Sequence, residues 1–177
     1  MTQMLMHQIK GVLSSQKLAD YLDKTNSVFT VCLHQFFDEE KIEEFKECAK
    51  TDIIKFIHSH KTDVLDELEK NDVLITDYSS VGFDFTVLNK PVILYQPDLK
   101  NYLAKRNLYC EVEELEQCSY TKARQLVDAI ADETYTINPF FKSRLPEEID
   151  YDFIESGAHI DRMYEEFSTI QKNKVTF

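Results

Sequence analysis

The apolar positions of this chain change period along its length. "SVFTVCL" (residues 27–33) is a continuous, β-branched run and reads as a strand. In "DEEKIEEFKECAK" that follows, Ile42, Phe45 and Cys48 or Ala49 recur at helical spacing behind Asp38 as N-cap. "DIIKFI" (52–57) predicts a second strand. "KTDVLDELEK" predicts a short helix capped by Thr62, with Val64, Leu65 and Leu68 facing inward. "DVLIT" is a third strand. "SSVGFDFTVLNK" is a helix with Val81, Phe85 and Leu88 on one stripe, stopped by Lys90-Pro91 before the strand "PVILY". "LYCEV" (108–112) is expected as a fifth strand, and "SYTKARQLVDAIAD" as an amphipathic helix from near Ser119. Further on, Ile160, Met163, Phe167 and Ile170 mark a last helix, after an irregular crossing over 134–151 that holds Pro139 and Pro146. Upstream, "SSQKLADYLDK" (14–24) is a helix. "MTQMLMHQIKGVL" is a poor candidate for a strand ahead of it, which leaves the sheet without a clear first strand.

Strands that alternate with short helices make βαβ units and a parallel sheet covered on both faces. The expected fold is α/β, a Rossmann-like three-layer domain spanning 1–177, with 134–177 as the irregular crossing plus C-terminal helix. Ligands of such sheets bind beyond the carboxyl ends of the strands. Two polar clusters fall there: His34 directly after the first strand, and "TDYSS" (76–80) after the third. Ser79 and Ser80 stand where the next helix begins. Backbone N–H groups and hydroxyls there suit a phosphate. A plain serine N-cap has the same spacing, and both readings stand. Asp77 fits a turn cap or an ion pair. Asp84 can brace the site, hold a ligand hydroxyl or face solvent. His34 is either a structural histidine or a ligand-edge group.

Composition narrows the choice. The 177 residues carry a net charge of −12, so a basic nucleic-acid footprint is absent. Any anionic ligand must be held by local dipoles or a few placed cations. With only 3 glycines there is no GxGxxG motif, which disfavours a dehydrogenase-type dinucleotide fold. Cys32, Cys48, Cys110 and Cys118 form no CxxC pair. Cys32 and Cys48 lie in apolar patterns and are expected to be buried thiols in a reducing, cytoplasmic setting. His58 and His60 make an HxH with no third ligand in view, so neither a metal nor a cofactor is expected. No apolar run reaches the length of a membrane span, and the N-terminus does not read as a signal peptide.

The segment "NDVLITDYSSVGFDFTVLNKPVILYQPDLKNY" closely resembles the signature of the CDP-glycerol glycerophosphotransferase family, the teichoic acid primases and polymerases and related capsule polymerases. The parts are the strand 72–76 with "DYSS", the "FDF" of 83–85, Lys90-Pro91, and Tyr95 to Tyr102. Elsewhere the likeness is looser. The family's Leu-His-Pro is "LHQ" here, with Gln35 for proline. Its Arg-Gly-Phe-Tyr-Phe survives only as Arg106 and Tyr109 in "KRNLYCEV", and its Asp-Gly-Lys-Ala-Ser only as "ESGAHIDR". The resemblance covers about 27–162 and matches the C-terminal, donor-binding half of enzymes with two Rossmann-like domains in a GT-B architecture. It implies transfer of glycerol phosphate from CDP-glycerol, or ribitol phosphate from CDP-ribitol, to a polymer hydroxyl. It also implies that Thr76, Ser79, Ser80 and Arg106 bind the donor phosphates, that His34 is catalytic, and that Asp77 and Asp84 support the site. The acceptor-side domain with its own histidine has no counterpart in the chain. A partner supplying that domain, or a homo-oligomer, and association with the inner face of the membrane follow as expectations. Two rival readings are a degenerate, binding-only module and half of a nucleotide-sugar glycosyltransferase; "TDYSS" speaks against the second.

Overall fold

The computed structural model describes residues 3–33, 37, 39–104 and 112–144. Helices α1 (Gln3–Leu13) and α2 (Gln16–Thr25) lead into strand β1 (Phe29–Leu33). Then come α3 (Glu39–Cys48), β2 (Ile54–His58), α4 (Val64–Glu69), β3 (Leu74–Thr76), α5 (Val81–Val87) and β4 (Val92–Tyr95). The rest is α6 (Leu99–Leu103), α7 (Val112–Cys118), β5 (Ser119–Tyr120), α8 (Ala123–Ala131) and α9 (Pro139–Lys142). β1 and β2 pair in parallel, with Phe29 opposite Ile54 and Leu33 opposite His58. β3, β4 and β5 pair in parallel, with Leu74 opposite Val92 and Leu94 opposite Ser119. Among the described residues the two sets of strands are not hydrogen-bonded to each other.

The alternation of side chains across a strand sorts the core into two layers. Leu33 of β1, Ile54 of β2, and Ile93 and Tyr95 of β4 pack on α1, α2, α3 and α8 through Val12, Leu13, Leu18, Leu22, Ile42, Phe45, Leu126 and Ile130. Phe29, Val31, Phe56, Val73 and Ile75 border the same layer. On the opposite face, Val92 and Leu94 of β4 pack with Leu68 of α4, Phe85 of α5, Leu115 of α7, and Phe140 and Phe141 of α9. This is the α/β, Rossmann-like arrangement with helices on both faces of parallel strands.

Several expected elements take other forms. Residues 3–13 are helical, because Met6, Ile9, Val12 and Leu13 fall on one helical face and enter the first core. The fifth strand is Ser119–Tyr120, where a helix start was expected. The helix begins only at Ala123, after the Lys122 N–H donates to Gln125 Oε1 at 3.2 Å. Of the expected strand 108–112, residues 108–111 lie outside the described residues and Val112 opens α7. Asp63, not Thr62, caps α4, accepting from the N–H groups of Leu65 and Asp66. Only Leu68 of that helix is buried, while Val64 is 37% and Leu65 60% exposed. Cys32 is exposed and Cys48 half-buried. Cys32 alternates away from Val31 and Leu33, onto a face of β1 that neither core covers among the described residues. The expected cap at Asp38 and the last helix lie outside the described residues.

The "FDF" and "KP" segments have packing roles. Phe85 is fully buried, and Phe83 stands edge-on to Phe141 with centroids 4.9 Å apart. Lys90 Nζ donates to the carbonyls of Glu69 and Asn71 at 2.7 and 2.8 Å and lies 5.6 Å from the Phe85 ring centroid. It thereby neutralises the carboxyl end of α4. Gly82 is where Phe141 lands: a Cβ there would sit 2.2 Å from the ring. Alanine at that position gains about 1 kcal/mol of helix propensity but must displace a buried ring, an overpacking cost of about 1–3 kcal/mol or more. Gly82→Ala is therefore expected to lower the unfolding free energy measured in urea, and Phe141→Leu in the same chain to recover part of the loss. A Gly82→Ala chain as stable as the parent would show that Phe141 does not rest on the glycine.

Candidate functional site

The carboxyl end of β3 carries the polar cluster. Thr76 ends the strand half-buried, Asp77 is exposed, and Ser79 and Ser80 are exposed at the entry to α5. Asp84 is exposed in the first turn of that helix. The structure thus brings Thr76, Asp77, Ser79, Ser80 and Asp84 to one end of β3. His34 and Arg106 lie outside the described residues.

The start of α5 departs from a simple N-cap. Ser80 holds the cap position with helical torsions (φ −64°, ψ −15°) and makes no side-chain cap hydrogen bond. Ser79 takes the capping role instead, its Oγ accepting from the Val81 N–H at 3.4 Å. Its carbonyl accepts from the Gly82 N–H at 3.5 Å, and the Ser80 carbonyl from the Phe83 N–H at 2.9 Å. The first N–H groups of the helix are therefore already directed at the serine turn. Two of these contacts sit at the long end of the hydrogen-bond range. The Ser80 hydroxyl is the group best placed to donate outward.

The loop after β4 locks this turn, and here the structure adds residues that the pattern of the sequence did not assign. Gln96, buried at the end of β4, donates its backbone N–H to the Tyr120 carbonyl at 2.8 Å and its Nε2 to the Asp77 carbonyl at 3.1 Å. One residue thus joins the exits of β3, β4 and β5, through its side chain to β3 and its backbone to β5. Its Oε1 is buried and has no hydrogen-bond partner among the described residues. Tyr78 stacks on Tyr102 with centroids 3.6 Å apart and planes 8° apart, and its hydroxyl donates to Asp98 Oδ1 at 3.0 Å. The pairing of "DYSS" with "YQPDLKNY" in one motif has its physical basis here. The second segment buttresses the turn that carries the serines, and Asp77 is held there through its carbonyl.

Burial, then the Asp98 charge and hydrogen bond, push the Tyr78 phenol above its ordinary value; burial does the same for Tyr95. A raised phenol favours the neutral form in the folded chain. Its contribution to stability is complete below the unfolded value of about 10 and is lost progressively as pH rises from there toward the raised folded value. Unfolding free energy should fall between about pH 8 and pH 11, and Tyr78→Phe should shrink that fall. Urea midpoints at the two pH values decide; an equal fall in both chains would mean that the Tyr78 phenol titrates normally.

A sequence profile of the family described as CDP-glycerol:poly(glycerophosphate) glycerophosphotransferase matches residues 2–140. Among curated relatives, the teichoic acid glycerol-phosphate primase of Bacillus subtilis (strain 168) is 48% identical over 58 residues, covering 33% of this chain and 15% of the relative. The teichoic acid ribitol-phosphate polymerase TarK of Staphylococcus aureus (strain NCTC 8325 / PS 47) is 29% identical over 129 residues, 69% of this chain and 23% of the relative. TarL of the same strain, also a teichoic acid ribitol-phosphate polymerase, is 32% identical over 118 residues, 66% and 20%. The chain thus spans less than a quarter of the length of each of these relatives. Among the described residues no helix is long and apolar enough to cross a membrane. The profile match covers most of the chain and includes the whole serine turn and its buttress: the chain belongs to the CDP-glycerol:poly(glycerophosphate) glycerophosphotransferase family.

Proposed function

We propose that residues 1–177 form the donor-binding domain of a polyol-phosphate transferase, equivalent to the C-terminal half of a GT-B enzyme. The domain holds a CDP-linked glycerol phosphate or ribitol phosphate for transfer to a polymer hydroxyl in teichoic acid or capsule synthesis. The observation that carries this reading is the family match over 2–140, which contains the exposed serines and the loop that fixes them. Relatives whose names specify glycerol phosphate and ribitol phosphate both match, so both donors are candidates.

In this reading the Ser80 hydroxyl donates to a pyrophosphate oxygen. Ser79 exchanges its long bond to Val81 for the ligand, and Thr76 lines the exit of β3. Asp77 and Asp84 shape the turn around them. His34 and Arg106 supply the charge stabilisation that phosphoryl transfer demands. The polymer hydroxyl attacks phosphorus, the bond to the CMP oxygen breaks, and CMP leaves. The base that takes the hydroxyl proton comes from an acceptor-side domain, a partner or a second copy, so the chain alone binds donor and turns over slowly. The reaction takes place on the cytoplasmic side, at the membrane surface where a growing polymer is anchored.

Calorimetric titration of the chain with CDP-glycerol and CDP-ribitol, against CMP and UDP-glucose, tests this. A CDP-polyol should bind in preference to the others. Ser79→Ala with Ser80→Ala should weaken that binding by about 1–3 kcal/mol, the range for hydrogen bonds to charged groups. Unchanged affinity with an intact fold would remove the serines from the site. Tighter UDP-glucose binding would favour a glycosyltransferase half, and binding of none would leave a fold without a donor site.

A further inference from the structure

A chain of net charge −12 holds an anion best with donors that bring no carboxylate of their own. Backbone N–H groups are such donors, and a planar trans peptide ties the direction of each one to the carbonyl beside it. In the serine turn that direction is set by one side chain. Gln96 Nε2 donates to the Asp77 carbonyl at 3.1 Å, and Gln96 is only 1% exposed, so this carbonyl points in toward the buried end of β4. The described peptide bonds are all trans. The N–H of Tyr78, on the same peptide, therefore points away from Gln96, in a turn where Asp77, Ser79 and Ser80 are exposed. The N–H groups of Val81, Gly82 and Phe83 are taken up by the serines, whereas that of Tyr78 has no acceptor among the described residues.

This peptide is clamped at both ends. Gln96 holds its carbonyl, and beyond the N–H the Tyr78 side chain is fixed by Asp98 Oδ1 at 3.0 Å and by the Tyr102 ring, with centroids 3.6 Å apart. The Gln96 amide can take only the orientation seen, because with its ends exchanged Oε1 would face the Asp77 carbonyl, acceptor against acceptor. That orientation has a cost. Oε1 is buried and has no hydrogen-bond partner among the described residues, which is destabilising. An apolar side chain would close the end of β4 without it. Packing alone does not account for a carboxamide here, whereas the direction of the Asp77–Tyr78 peptide does.

We propose that the Tyr78 N–H donates to the pyrophosphate of the bound nucleotide, and that Gln96 is the positioning residue that keeps it turned to the ligand. The inference rests on the donor-binding reading above and adds to it a phosphate contact made by the backbone. Gln96 touches no ligand itself. It acts through the Asp77 carbonyl, and a peptide turned over at this point would present a carbonyl oxygen to the phosphate instead of a donor.

Nuclear magnetic resonance of the nitrogen-15-labelled chain, titrated with CDP and separately with inorganic pyrophosphate, tests both parts. In the parent chain the Tyr78 amide proton should move downfield with either ligand, as an N–H does on gaining an anionic acceptor. Gln96→Glu keeps the shape of the side chain but removes its donor. At about pH 7.5 the introduced carboxyl is ionised and repels the Asp77 carbonyl, and CDP affinity should fall about tenfold, the lower end for one hydrogen bond to a charged group. Toward about pH 5 that buried carboxyl takes up a proton and can donate again, so the variant's affinity relative to the parent's should recover. A loss through packing would not follow pH. A Tyr78 amide that stays still while those of Ser79 and Ser80 move would overturn the contact, whether or not the variant folds. A folded variant that binds CDP like the parent at pH 7.5, or is weakened equally at both pH values, would overturn the role of Gln96. A parent chain that binds neither ligand would remove the donor site itself, and this inference with it.

Discussion

The structure depends on β4 being buried from both sides. Val92 and Leu94 close one core while Ile93 and Tyr95 close the other. Fully burying side chains of this size stabilises by about 1.5–3 kcal/mol each. Such a strand can hold no polar residue until it ends, so its first polar residue, Gln96, stands at the boundary where strand exits need hydrogen-bond partners. Its amide takes the Asp77 carbonyl and its backbone takes that of Tyr120. The position of the serine turn is therefore a consequence of core packing. The buried strand fixes Gln96, Gln96 fixes Asp77, and the stacked tyrosines fix the next residue of the turn.

Elements with a strong period were legible in the sequence. The apolar run of β1 and the helical spacing of Ile42 and Phe45 in α3 appear where expected, and the continuous apolar "VILY" is the doubly buried strand. The misses have separate physical origins. α1 does not stand out although Met6, Ile9, Val12 and Leu13 carry helical spacing, because Gln3, His7, Gln8 and Lys10 interrupt the apolar run. β5 contributes only Ser119 and Tyr120, too short for any period; its place is set by pairing with Leu94 and Tyr95. Leu65 and Cys32 were expected inside because inward direction was read from local pattern. What covers a face is a tertiary matter, and among the described residues the second core does not include β1.

At the site, the serines and their setting at the end of a strand could be read from the sequence, but the division of labour between them could not. Adjacent serines before a helix look equivalent. The backbone decides that Ser79 caps and Ser80 makes no cap hydrogen bond, because Ser80 has already entered helical torsions. The buttress was visible only as part of the family's motif. No periodicity argument pairs Tyr78 with Asp98 and Tyr102, which lie 20 or more residues away and meet only because β3 and β4 are neighbours.

In a doubly wound sheet the ligand crevice lies at the switch point of the strand order. His34 follows β1 in the sequence, and the serine turn follows β3, so the two halves of the proposed donor site are carried by different sets of strands. A ligand that bridges them must hold the sets in register, and the observed affinity is reduced by the fraction of chains already in that register.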